Sequence, residues 1–162
     1  MKNILIPTDF SIRSLGYVHS VVAHYPNESV NIIFMHALHM PDSLFDFITY
    51  TRNSRHIELI TADFKDGCEI IRNKYASSVN KLKVEFFHGN TRVAFRNFCL
   101  AQNIDVILQP TDNDFVCPSK RSYNPTKLIA ASKYPLIKTT LTGSTRKIIA
   151  KSTISALLMA TE

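Results

Sequence analysis

The stretch Ile4-Leu5-Ile6-Pro7-Thr8-Asp9-Phe10-Ser11 contains the end of a strand, a turn and the start of a helix. Residues 2–7 form a short apolar run closed by proline, the pattern of a buried strand. Ser11 has the chemistry of a helix N-cap, because its hydroxyl can accept from a free amide of the first turn. Ile12, Leu15, Val18, Val22 and Tyr25 then recur at helical spacing, and Pro26-Asn27 ends the run.

The same alternation continues along the chain. Residues 29–38 read as a second buried strand. Ile57, Ile60, Phe64, Cys68, Ile71 and Tyr75 give the apolar stripe of one long helix. Residues 83–87 read as a third strand, closed by His88-Gly89-Asn90. Thr91 caps a helix with Ala94, Phe98 and Ala101 inward, and residues 104–108 form a fourth strand. Residues 109–121 read as a loop, 122–133 as a helix and 135–141 as a fifth strand. Strands that alternate with helices and are apolar on both faces predict an α/β fold. Its sheet is parallel, five-stranded, doubly wound and Rossmann-like, with helices on both faces. Ligands in such sheets bind beyond the carboxyl ends of the strands, where strand order reverses. The loops after strands one and four are therefore the candidate site. Residues 143–162 fall outside the pattern and read as a C-terminal extension to a domain of residues 1–142.

The chain has 162 residues, 45% hydrophobic and 20% charged, which suits one folded domain. It holds no apolar run of membrane-spanning length and no signal-peptide pattern, so the expected compartment is the cytoplasm, with no membrane partner. Cys68, Cys99 and Cys117 are scattered, which is neither a disulfide framework nor a zinc pattern. The formal charge is +6, and no acidic residue occurs between Phe115 and Thr161. That asymmetry reads as a solvated basic face. Nucleic-acid binding is disfavoured, because Tyr123 and Tyr134 are too few aromatics to stack bases.

The order of elements, the opening I-L-I-P-T-D-F-S, Met35-His36-Ala37, Gly89, the run 103–108 and Tyr134-Pro135-Leu136-Ile137 resemble the universal stress protein family over about residues 1–142. The resemblance implies strand order 3-2-1-4-5 and homodimers commonly paired through the last strand. It also implies two branches, one of which binds ATP through Gly-x2-Gly-x9-Gly-Ser/Thr after strand four. Counted back from Pro135, those glycines fall at about Asp112, Phe115 and Ser122-Tyr123, and the loop holds no glycine. Asp112 and Asp114 would repel a polyphosphate by about 1 kcal/mol each at 4 Å in water. Asp9 matches the family position at the adenosine part, beside Thr8, and Ala37 the position near adenine.

The expectation is a non-catalytic, dimeric stress-response or regulatory module with a degenerate ATP site and an unidentified protein partner. The alternative is a nucleotide or anion binder. ATP or another nucleotide would then meet Thr8, Asp9 and Ala37, with Lys120, Arg121 and Ser122 near the fourth helix start holding the phosphates. No metal is expected: His36 and His39, with Asp42 nearby, are three apart on a strand and point to opposite faces. His56 and His88 read as isolated surface or capping residues. No nucleophile elbow, Walker loop or dinucleotide fingerprint is present.

Overall fold

Burial on both faces favours the extended form for the apolar runs. The computed structural model describes residues 1–41, 43, 55–112 and 114–141. Five strands, β1 (Lys2–Pro7), β2 (Val30–Leu38), β3 (Val79–His88), β4 (Val106–Pro110) and β5 (Leu136–Thr139), form one sheet in the order β3-β2-β1-β4-β5. All pairings are parallel. Side-chain alternation divides the core into two layers. Ile4, Ile6, Ile32 and Phe34 point to one face, against α1 (Ile12–Leu15), α2 (Tyr17–His24) and α3 (Ala62–Lys74). Leu5, Ile33 and Ile107 point to the other, against α4 (Arg92–Ala101) and α5 (Thr126–Ala130).

The helices depart from the sequence expectation in four places. The first breaks at Gly16, whose amide bonds to the Arg13 carbonyl at 2.9 Å and so tightens the turn between α1 and α2. The bend buries Val21 and leaves Val22 and Tyr25 at the rim. The long stripe is two elements, a 3-10 helix (Arg55–Leu59) and α3. Between them Thr61 is extended and its hydroxyl accepts from the Phe64 amide at 3.2 Å, which starts a new helix. Phe64 and Ile71 are fully buried and Ile57 is exposed. On α4 the inward residues are Phe95 and Cys99, with Ala94 and Phe98 flanking them and Ala101 exposed. The last helix is only α5, because residues 122–125 run along the end of β2 instead.

The third strand begins at Val79, earlier than the apolar run suggests. It is a sheet edge, so Asn80 and Lys81 stay exposed while the backbone pairs with β2. Ile104 is buried just before β4 rather than in it. No helix among the described residues is long and apolar enough to cross a membrane. The extension at 143–162 and Asp42 lie outside the described residues.

Candidate functional site

Strand order reverses between β1 and β4, and the turn after β1 is built tightly there. Phe10 takes φ 60, a left-handed conformation that costs a non-glycine residue about 1–2 kcal/mol. Two hydroxyls hold it. Its amide donates to Thr8 Oγ1 at 3.0 Å, and its carbonyl accepts from Thr61 Oγ1 at 3.4 Å. Thr8 Oγ1 also meets Ser14 Oγ at 2.7 Å, and Ser14 Oγ donates to the Ser11 carbonyl at 2.8 Å. The Phe10 ring is buried between Phe64, Phe86 and His36.

Asp9 is buried and its carboxylate is occupied by its own chain. Oδ1 accepts from the amide and hydroxyl of Ser11, and Oδ2 accepts from the Val116 amide at 3.1 Å. One oxygen orders the helix start, and the other pins the loop that follows β4.

A cleft of about 340 Å³, open solvent included, lies between these loops. Its lining includes Pro7 and Pro110, which have no amide to offer an anion. Its walls carry Asp9, Arg13, Tyr17 and Asp112. The Arg13 guanidinium is paired with Asp114, and the Tyr17 hydroxyl donates to Asp112 Oδ1. Burial first, then the hydrogen bond and charge of Asp112, push the Tyr17 hydroxyl far above its ordinary pKa, so it remains a donor. Among the described residues, Asp112 Oδ2 is buried without a hydrogen-bond partner. The amide of Thr126, at the start of α5, is taken by Asn124 Oδ1 at 3.0 Å. Beside the hydroxyls of Ser11, Ser14 and Thr126 and the amide of Asn124, the charged groups of the cleft are two carboxylates and a paired arginine, a poor environment for a polyphosphate.

Residues 114–125 are folded over the ends of β1, β2 and β3. The His39 amide donates to the Arg121 carbonyl at 2.8 Å and the Tyr123 amide to the Ala37 carbonyl at 3.2 Å. The Tyr123 hydroxyl donates to the Gly89 carbonyl. Beneath the loop, His36 is fully buried, with Nδ1 2.8 Å from the Thr8 carbonyl and Nε2 2.8 Å from Ser122 Oγ. A carbonyl only accepts, so Nδ1 carries the proton, Nε2 accepts from Ser122, and Ser119 Oγ donates to Ser122 at 2.8 Å. Burial holds the His36 pKa below its usual value, against the opposing pull of the Thr8 carbonyl and the Asp9 charge. The Phe115 ring stacks over His36 at 6.4 Å and 13°.

Of the six residues singled out in the sequence, Thr8, Asp9 and Ser122 converge on this region. Ala37 is fully buried in the second core layer and contributes its carbonyl. Lys120 and Arg121 sit in a turn rather than at a helix start, and neither lines the cleft. His36 is held by its hydrogen bonds, and among the described residues no group of three ligands could hold a metal. His56 and His88 are not isolated, since their rings lie 5.7 Å apart. Burial, then the charge of His56, lower the His88 pKa. Sequence reasoning missed Tyr17, Arg13 and the Ser119–Ser122–His36 chain. Only Tyr17 carried a signal, a polar aromatic on the inner face of a helix that follows the candidate turn.

No protein-family model and no curated protein matches the sequence. Solved structures do match. The hypothetical protein MJ0577 is 19% identical over 88% of this chain and 98% of its own, with a TM-score of 0.56. The universal stress protein UspA from Lactobacillus plantarum is 17% identical over 85% of this chain and 96% of its own, with a TM-score of 0.52. These likenesses concern the backbone, and with strand order β3-β2-β1-β4-β5 they agree on one conclusion: the chain has the universal stress protein fold.

Proposed function

We propose that this chain is a non-catalytic regulatory module of the universal stress protein type, with its nucleotide cleft closed by its own side chains. One observation carries the reading. The residues standing where the resemblance would place phosphate-binding glycines are all engaged with the protein itself. Asp112 accepts from Tyr17, Phe115 stacks on His36, and Ser122 donates to His36 Nε2. Glycines in that motif leave backbone amides bare for an anion. Here the loop's own side chains cover the strand ends, and both oxygens of Asp9 already accept from the chain, from Ser11 and Val116. The dimeric assembly that the resemblance implies belongs to the same reading. β5 supplies an edge paired with β4 alone among the described residues.

Isothermal titration of ATP and ADP, into the chain and into its Asp9→Ala variant, tests the proposal. The expected result is no binding at millimolar nucleotide for either protein. Clear binding that disappears in Asp9→Ala would overturn it, and would mean that the loop opens to admit the ligand.

A further inference from the structure

The two layers of the molecule differ sharply in charge. On the α3 side, Asp63, Asp66 and Glu69 are balanced by Lys65, Arg72 and Lys74. On the other side, residues 87–104 and 126–140, which include all of α4, α5 and β5, contain no Asp or Glu, and Asp105, which follows, accepts from the Asn3 amide at 2.8 Å. Arg92 and Arg96 on α4, Lys127 on α5, Lys133 in the turn after it and Lys138 on β5 are all exposed. Lys138 is two residues from Leu136, which packs into the core beneath α4 and α5, so both side chains point to this face. Arg96 lies close enough to Tyr134 to act on its hydroxyl, which joins the α4 cations to the turn of Lys133. Glu85, at the β3 rim of the same face, is paired with Lys83 at 3.1 Å.

Apolar side chains stand among these cations. Val93 is 63% and Leu100 61% exposed. They are seven residues apart, two helical turns, and so share the outer side of α4 with Arg92 and Arg96. A broad cationic face attracts any polyanion. Exposed Val and Leu within it add nothing to contact with a phosphodiester backbone, which is held by charge and hydrogen bonds. They do suit a bilayer, where headgroups meet the cations and apolar side chains enter the acyl boundary. We propose that the face formed by α4, α5 and β5 docks on an anionic lipid surface.

Co-sedimentation of the full chain with phosphatidylcholine vesicles, with and without phosphatidylserine, tests this at near-physiological salt. Binding is expected only to the vesicles that contain phosphatidylserine. Arg96→Glu with Lys133→Glu should lower the partition roughly tenfold or more. Val93→Ser with Leu100→Ser leaves the charge unchanged and should lower it by about threefold. Lys65→Glu with Arg72→Glu on α3 changes the net charge equally and should cost less than about twofold. All of these positions are exposed, and circular dichroism checks that each variant folds. No vesicle binding, or equal losses from the two charge reversals, would overturn the proposal. So would tighter binding to a DNA duplex that ignores the Val93 and Leu100 changes, which would assign the face to nucleic acid.

Discussion

At the scale of single residues, His36 concentrates the chemistry of the site. It is neutral in the fold, with Nδ1 donating to Thr8 and Nε2 accepting from Ser122. Its pKa is lowered on folding, chiefly by burial, so protonation favours the unfolded chain. The stabilising effect is complete above the ordinary histidine range and is lost as pH falls through the folded-state value. Urea unfolding midpoints should therefore fall as pH drops from 7 to 5. His88 shifts in the same direction, so His36→Gln should reduce that slope without abolishing it. Tyr17 makes a second test. Among the described residues, Tyr17→Phe leaves both oxygens of Asp112 without a donor, because Oδ2 already has none. The expected loss is about 1–3 kcal/mol in chemical denaturation. Thr8 and Asp9 were singled out in the sequence by the resemblance, and the structure places both in the turn after β1, where Asp9 accepts from Ser11. The partner of Asp112 was not legible there, because nothing local ties position 17 to position 112.

At the scale of elements, strands were read better than helices, for a physical reason. A strand buried on both faces must be apolar throughout, so β1 and β2 appear directly as runs. A helix boundary depends on which backbone amides find a side chain, and Thr61 and Gly16 divide patterns that look continuous. Thr61 both caps α3 and donates to the carbonyl of left-handed Phe10. Thr61→Ala should destabilise the fold by about 1–2 kcal/mol, read from thermal and urea unfolding. The edge strand β3 was underestimated because its exposed positions need no apolar side chain. Phe64 packs edge-on against both Phe10 and Phe34, joining α3 to the turn and to β2. Phe64→Ala should cost about 3–5 kcal/mol, and its midpoint shift should far exceed that of Thr61→Ala.

For the whole molecule, the fold places its two distinctive regions apart. The cleft lies at the carboxyl ends of the strands, and the cationic face lies over one flank of the sheet. Sedimentation equilibrium is expected to give twice the chain mass if copies pair through β5, and Lys138→Pro should then shift the equilibrium toward monomer by removing an edge amide. The loop of residues 114–125 has a further consequence, in the time domain. Surface loops ordinarily exchange their amide hydrogens with solvent almost at once. Here the amides of Val116 and Tyr123 are bound to Asp9 and to the Ala37 carbonyl, and Ser122 bridges to the end of β2. In deuterated water these amides should keep their hydrogens nearly as long as the central strands do, so the loop ages with the core rather than with the surface.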